Sequence, residues 1–218
     1  MSTYAVSELV KEVKVLLDRN QETSGLLTPT DTDTLSQSEL IQSKIVDAAR
    51  IILMDAPAFM LDGKTFDGLN TAWAESNGAY VGTVYLPSDM IRLLNVKASD
   101  WNRSAEIITE EDDAYKIQCN RFGVRGNPER PIAALIHNSG NRYLELFTSK
   151  SNTATVSLTY VGMPSISSGN IDLPETLKDS IVYMAGYLTC VSLGDTDTAS
   201  GFLGVARKLA HIVEPTTS

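Results

Sequence analysis

The amino-acid sequence predicts an α+β fold in which N-terminal helices and a C-terminal αα-hairpin surround a mostly antiparallel, β-rich central region. Apolar residues recur with a helical period at both ends of the chain, and polar and apolar residues alternate in the middle. The chain has 218 residues, of which 43% are hydrophobic, so it can bury a core without a metal or a disulfide. We expect a single domain, 1–218, made of N-terminal helices and a loop (1–56), a β-rich region (57–171) and a helical hairpin (172–218).

Two helices are predicted before the β-rich region. The first begins near Val6, because apolar residues there share one helical face: Val6, Leu9, Val10, Val13, Leu16 and Leu17. Residues 21–35 are rich in Thr, Asp, Gly and Pro and are predicted to form a loop. Ser36 and Glu39 then have the spacing of a capping box. The second helix starts there and must end by Pro57.

The central region has the alternation of β-strands. We predict five strands, at 80–86, 90–97, 132–137, 143–147 and 155–161. Residues 138–141, Asn-Ser-Gly-Asn, predict a turn between the third and the fourth of these strands. The acidic stretch 109–113 suits a short helical turn at the surface.

A pair of helices is predicted at the C-terminal end. Asp172 offers an N-cap side chain and Pro174 fits the first turn of a helix over 173–193. Residues 194–197 predict a turn and a new cap, and the last helix carries an apolar stripe from Ala199 to Val213. We expect an αα-hairpin in which Phe202 is a buried anchor between the two helices.

The chain is acidic along its whole length. Its formal net charge is −9, with −4 in residues 1–56, −2 in 57–171 and −3 in 172–218. Because non-specific DNA binding depends on Lys and Arg contacts to phosphates, we expect no tight duplex binding, whereas an acidic wall lets DNA slide past. No stretch approaches the ~20 apolar residues of a membrane span, and the start lacks a secretion signal. We therefore expect a soluble protein that is not secreted and has no membrane partner.

Residue types that bind metals or carry catalysis are sparse. The histidines are His137 and His211, and neither a CxxC nor an HExxH motif occurs. We expect no enzyme activity, no metal site and no cofactor. Cys119 and Cys190 are predicted to be reduced, buried thiols. Residues 195–201 resemble the start of a calcium loop, but Ala206 stands where a bidentate Glu belongs, so a helix cap is favoured.

Arg121, Arg125 and Arg130 form the local basic cluster of the sequence. Solvated loop charge is the ordinary interpretation of such a group. The alternative is a docking loop that meets an acidic neighbouring subunit or DNA, and the three arginines are therefore candidate partner-docking residues. The aromatic residues Tyr80, Tyr85 and Trp101 are more typical of a core or a subunit contact than of a ligand platform.

Several segments resemble the head-to-tail adaptor (connector, or ring) proteins of tailed double-stranded-DNA bacteriophages. Residues 160–164 (Tyr-Val-Gly-Met-Pro) are followed by 171–185 (Ile-Asp-Leu-Pro-Glu-Thr-Leu-Lys-Asp-Ser-Ile-Val-Tyr-Met-Ala), and in that family a strand ending near Tyr and Pro leads into a helix that begins Leu-Pro. Residues 86–92 and 131–146 are similar to its central region. The resemblance covers the organisation of residues 36–213, and the long β-rich region is more similar to the ring proteins of short-tailed phages.

The resemblance implies a structural virion protein that forms a ring, usually of twelve copies, beneath the portal, connects head to tail and encloses the DNA channel through which DNA is ejected. The implied partners are further copies of the chain, the portal protein, other tail or ring proteins, and transiting DNA without tight binding. The implied location is the head-tail junction, with assembly in the host cytoplasm, and no catalytic residue carries over. Two alternatives remain: a non-catalytic small-molecule-binding or regulatory α+β domain, and a tail completion protein of another tier.

Overall fold

The computed structural model of the protein describes residues 1–17, 36–69, 71–120, 124–138 and 140–213. Its elements, in chain order, are β1 (Ser2–Ala5), α1 (Val6–Leu16), α2 (Gln37–Asp55), β2 (Lys64–Leu69), β3 (Ala72–Ser76), β4 (Ala79–Tyr85), β5 (Met90–Ala98), β6 (Glu106–Thr109), α3 (Asp113–Cys119), β7 (Ile132–Asn138), β8 (Asn141–Ser149), β9 (Val156–Gly162), β10 (Ile166–Ser167), β11 (Asn170–Leu173), α4 (Lys178–Ser192) and α5 (Thr196–Leu209). Helices at both ends and strands between them confirm the α+β fold. The loop predicted over 21–35 lies outside the described residues.

The chain divides into two compact units. The helical unit comprises Met1–Asp62 and Met163–Ser218, and the β unit comprises Gly63–Gly162. Residues 163–171, which the sequence analysis placed in the β-rich region, belong to the helical unit, where β11 pairs with β1 on one edge and with β10 on the other.

Both N-terminal helices form as predicted. The Ser36 hydroxyl accepts a hydrogen bond from the Glu39 amide at 3.3 Å, and the Glu39 carboxylate accepts one from the Ser36 amide at 2.7 Å. These two bonds are the predicted capping box, and α2 ends at Asp55, before Pro57. The core of the helical unit includes fully buried side chains from α1, α2, β11, the 3-10 turn Glu175–Leu177 and α4: Leu9, Val13, Ile41, Ile45, Ile52, Leu53, Ile171, Leu173, Leu177 and Ile181.

A small sheet in the helical unit was not predicted. Strand β1 pairs antiparallel with β11, with Thr3 opposite Asp172, and β10 pairs with the other edge of β11. The prediction that Asp172 caps a helix is therefore wrong. In β11, Ile171 and Leu173 are buried and Asp172 between them is exposed. This alternation is that of a strand, not of a helix start. A 3-10 turn, Glu175–Leu177, follows, and α4 begins at Lys178 without a side-chain cap.

The αα-hairpin of α4 and α5 is present. The Asp195 carboxylate accepts from the Thr198 amide at 3.2 Å and caps α5, as the sequence indicated. Phe202 is half-buried rather than fully buried, which corrects the prediction. Its ring centroid lies 6.1 Å from that of Tyr183. The buried positions of α5 are taken by Ala199 and Ala206 instead, because the two helices approach closely through small side chains.

Two sheets build the β unit. One has the strand order β2-β9-β5, and the other has the order β3-β4-β8-β7-β6, in which β6 is parallel to β7 and the remaining pairs are antiparallel. The five predicted strands are confirmed as β4, β5, β7, β8 and β9, and the predicted turn joins β7 to β8 through the pair Asn138 and Asn141. Side chains from both sheets share one buried core: Val84, Val96, Trp101, Leu144, Leu146 and Leu158 among them.

The two cysteines differ in exposure. Cys190 is buried in α4, as predicted, but Cys119 is exposed. The prediction for Cys119 is wrong because, in the last turn of the short helix α3, Gln118 takes the buried position and Cys119 lies on the exposed side.

Candidate interaction surfaces

The three candidate docking arginines have different surroundings. Arg121 lies outside the described residues. Arg125 is half-buried, and its Nη1 donates to Ser76 Oγ at 2.7 Å, so it ties its loop to β3. Arg130 has an exposed side chain, while its backbone amide donates to the Asn127 carbonyl at 2.9 Å. Of the two described arginines, Arg130 therefore presents its charge to solvent and Arg125 is engaged within the β unit.

The loop that carries Arg125 and Arg130 is held in place at Gly126. The Gly126 amide donates to Gln118 Oε1 at 2.7 Å, and its carbonyl accepts from Thr148 Oγ1 at 2.9 Å. A Cβ at this position would lie 2.6 Å from the Phe147 carbonyl oxygen. A glycine is therefore required by the close approach of two backbone segments.

A half-buried tyrosine joins α3 to the five-stranded sheet. The Tyr115 hydroxyl donates to Glu145 Oε2 at 2.9 Å. Burial raises the pKa of Tyr115 well above its usual value, and hydrogen bonds with Cys119 and Glu145 add to this effect. The phenol is therefore neutral at physiological pH, and its role in the unit is to hold α3 against β8.

The same sheet carries an aromatic pair of one exposed and one half-buried tyrosine. Tyr85 and Tyr143 lie opposite each other on β4 and β8, with ring centroids 6.2 Å apart. Tyr85 is 69% exposed. Burial raises the pKa of Tyr143, and the carboxylates of Glu145 and Glu110 raise it further. By contrast Trp101, which the sequence analysis considered together with Tyr80 and Tyr85, is buried, and its Nε1 donates to the Thr148 carbonyl at 2.9 Å.

A charged cluster joins β2 to β9 in the β unit. Lys64 Nζ donates to Asp89 Oδ2 at 2.9 Å, and the Tyr160 hydroxyl donates to Asp89 Oδ1 at 3.3 Å. The hydrogen bond from Lys64 holds the pKa of Asp89 below its ordinary value, while burial raises that of Tyr160. The sequence analysis missed this cluster, because Lys64 and Asp89 are 25 positions apart and show no local spacing.

A groove lies between α1 and α4 in the helical unit. Its volume is about 440 Å³, and its apolar walls are Val15, Leu16, Val182 and Tyr183. The charged side chains Lys11, Glu12 and Asp179 also line it. Glu12 accepts from Lys178 Nζ at 2.6 Å, and this hydrogen bond raises the pKa of Lys178. The ion pair ties α1 to α4 beside the groove.

Apolar side chains are also exposed elsewhere on the helical unit. Phe59, in the 3-10 turn Ala58–Met60, is 80% exposed and its ring meets that of His211 edge-on at 6.2 Å. Further exposed apolar residues lie on or beside the helices: Val15, Met54, Met163, Val191, Val205, Leu209 and Val213. The sequence analysis did not single out Phe59, since it follows a helix-ending proline and shares no periodic stripe.

Within the described ranges, no group of three or more His, Cys, Asp or Glu side chains is arranged to hold a metal ion. Among the helices of these same ranges, none has the length and apolar character needed to cross a membrane. No protein-family model matches the chain, and no curated protein matches its sequence.

Proposed function

We propose that the protein is a non-catalytic structural component of a tailed double-stranded-DNA phage and forms a ring of about twelve copies at the head-tail junction. In this role the ring lies beneath the portal protein, contacts other tail or ring proteins and encloses the DNA channel. The protein assembles in the host cytoplasm and becomes part of the virion.

Two of the segments that resemble the adaptor family, 160–164 and 171–185, follow each other closely in the chain. Tyr160 is near the end of β9, Met163 and Pro164 follow it, and residues 170–173 form β11. Pro174 then precedes the 3-10 turn that leads into α4. The strand, the Leu-Pro step and the helix thus follow one another in the order that the resemblance implies.

The exposed apolar surface of the helical unit is the observation that carries the proposal. Val15 on α1, Met54 on α2, Val191 on α4 and Val205 on α5 are all exposed, and Phe59 is more exposed than any of these. Covering such apolar side chains with a partner removes them from water and favours association. A subunit in a ring buries two different surfaces, one against each neighbour, and apolar side chains on all four helices of the unit suit that requirement.

The charge of the chain suits a channel through which DNA moves. Each copy carries a formal charge of −9, and a wall with this sign repels the phosphate backbone instead of holding it. The ring would therefore surround DNA without tight binding.

Assembly on a portal tests the proposal. The purified protein is incubated alone and with the portal protein of the same phage, and each sample is measured by mass photometry and cryo-electron microscopy. We expect a ring of about twelve copies, either free or seated on the portal. A protein that remains monomeric under both conditions contradicts the proposal.

A further inference from the structure

We propose that the surface around Tyr85 and Tyr143 binds an arginine side chain carried by a partner protein. We call it the acid-aromatic surface and define it by four residues: Tyr85, Tyr143, Glu110 and Glu145. All four belong to the β unit. The inference therefore goes beyond the proposed ring and does not depend on it.

Strand pairing brings the four residues together. Tyr85 on β4 pairs with Tyr143 on β8, and Glu145 lies two positions further along β8. Paired residues, and residues two apart on one strand, lie on the same side of a sheet. Glu110 follows β6 and accepts a hydrogen bond from the His137 amide at 3.4 Å. This bond holds Glu110 against β7, the strand beside β8.

The negative charge of the acid-aromatic surface is not cancelled within the described part of the chain. Glu145 and Glu110 both act on the Tyr143 hydroxyl, whose pKa they raise. Glu145 accepts a hydrogen bond from Tyr115, a neutral phenol that leaves the charge of the carboxylate in place. Among the described residues, no Lys or Arg forms an ion pair with Glu110 or Glu145. Both carboxylates therefore remain available to a cation from outside.

Two cations near the surface in sequence are engaged elsewhere. Arg142 precedes Tyr143 in β8, so its side chain leaves the opposite side of the sheet. There its Nη1 donates to the Met90 carbonyl at 2.8 Å. Lys116 of α3 pairs with Asp113 at 2.7 Å. Neither cation supplies the charge that the acid-aromatic surface lacks.

The tyrosine pair favours arginine as the cation. Tyr85 is 69% exposed, and its ring centroid lies 6.2 Å from that of Tyr143. The face of an aromatic ring attracts a cation. A guanidinium group is planar, so it can stack on a ring and donate to a carboxylate at the same time, whereas the lysine ammonium is a compact and strongly hydrated charge. Rings and carboxylates on one surface therefore suit arginine best.

The open shape of the surface favours an arginine that a protein carries. Sites for small molecules are concave and bury most of the ligand, whereas Tyr85 stands largely in water on an open strand. The half-buried side chains of Val81 and Thr83 continue the same side of β4 and offer contact area to the residues around the arginine. Nucleic acid is disfavoured, because its phosphates would meet two carboxylates.

Binding of a blocked Gly-Arg-Gly peptide tests the surface. The full chain is titrated with this peptide and with a version in which neutral citrulline replaces arginine, while NMR follows isotope-labelled tyrosine rings. We expect the arginine peptide to shift the signals of Tyr85 and Tyr143 and to bind more weakly as salt is added, because salt screens exposed charges. The citrulline peptide should leave the signals unchanged. Equal binding of the two peptides, or no binding of the arginine peptide, overturns the proposal.

Substitutions separate the aromatic contact from the acidic one. Tyr85→Ala and Glu110→Gln change exposed side chains, so both variants should fold, which circular dichroism checks. Each should weaken binding of the arginine peptide about two- to fivefold, and the double variant about tenfold. Tyr85→Phe keeps the ring and should keep the affinity. Phe59→Ala and Glu8→Gln, at exposed positions of the helical unit, are the matched controls and should bind like the wild type.

Three further outcomes would overturn the proposal. Wild-type affinity in both Tyr85→Ala and Glu110→Gln excludes the acid-aromatic surface as the binding site. A higher affinity in Arg121→Ser shows that an arginine of the same chain is the occupant. Binding of a thymidine oligonucleotide that is lost in Tyr85→Ala shows a nucleic-acid surface. None of these measurements involves the portal, so each leaves the proposed ring to be decided by its own assembly experiment.

Discussion

Thr3 and Asp172 are 169 positions apart in the chain, and the Thr3 hydroxyl donates a hydrogen bond of 2.6 Å to Asp172 Oδ1. The bond joins β1, at the start of the chain, to β11, which precedes the C-terminal hairpin. The helical unit is therefore closed by both ends of the chain, and the β unit is an insertion between them.

The pairing of β1 with β11 predicts a difference between two neighbouring substitutions. Leu173 is fully buried in the helical unit, whereas Asp172 is exposed. Leu173→Ala should lower the free energy of unfolding by about 2–5 kcal/mol, because it leaves a cavity in the core. Asp172→Ala removes one exposed hydrogen bond and should cost about 0.5–1.5 kcal/mol. Urea unfolding of both variants measures these values, and equal losses would contradict the strand assignment.

The αα-hairpin predicts opposite effects at two positions that face each other. A Cβ on Gly186 would lie 3.7 Å from the nearest atom of Phe202, which is ordinary contact. Gly186→Ala should therefore stabilise the protein by up to about 1 kcal/mol, since alanine favours the helix interior. Phe202→Ala should cost about 1–2 kcal/mol, less than a fully buried phenylalanine, because Phe202 is half-buried. Thermal unfolding of both variants tests the geometry, and a Gly186→Ala variant that melts earlier than wild type argues against it.

Protonation of Asp89 should weaken the β unit at low pH. The Lys64 hydrogen bond holds the pKa of Asp89 below the ordinary value, which is about 3.9 in unfolded chains. The contribution of the Lys64–Asp89 interaction to the free energy of unfolding is therefore complete above pH ~4. It is lost as the pH falls through the lower Asp89 pKa of the folded state. Lys64→Met should move the Asp89 pKa upward and reduce this pH dependence. Carboxyl NMR titration of the wild type and of Lys64→Met measures the pKa of Asp89. An unchanged Asp89 pKa in the variant would contradict the prediction. Lys97→Met, at an exposed position of the same unit, is the matched control.

Arg125 and Arg130, the two described members of the arginine cluster, should respond differently to replacement by serine. Arg125→Ser removes a part-buried hydrogen bond to Ser76 and should lower stability by about 1 kcal/mol. Arg130→Ser changes an exposed loop charge and should alter stability by less than about 0.5 kcal/mol. If Arg130 contacts a neighbouring subunit or the portal, its replacement should weaken assembly on the portal with no change in melting. Sedimentation with the portal separates the effect on assembly from the effect on stability. Full assembly by Arg130→Ser would show that Arg130 is a solvated loop charge.

Local signals in the sequence were sufficient for most of the long elements. Ser36 and Glu39 are three residues apart, so their capping box depends on a single turn of chain, and the structure contains both of its hydrogen bonds. The five strands with clear alternation and the turn between β7 and β8 also follow from neighbouring residues. In each case the residues that determine the element lie within about ten positions of one another, so the pattern can be recognised before the fold is known.

The sequence did not determine which surface each polar or aromatic side chain would meet. Asp172 precedes a Leu-Pro step that is typical of a helix start, but the distant strand β1 pairs with its segment and makes it a strand. Cys119 was assigned to the core by residue type and Phe202 by the apolar stripe of its helix, whereas the structure leaves Cys119 exposed and Phe202 half-buried. The α1–α4 groove, the ion pair of Glu12 with Lys178 and the exposed position of Phe59 likewise depend on segments far apart in the chain. The sequence by itself determined the long helices and the five strands with clear alternation, because periodicity and capping act over a few residues. Only the tertiary structure decided which surfaces are buried and which remain available to a partner, because burial depends on what packs against each element.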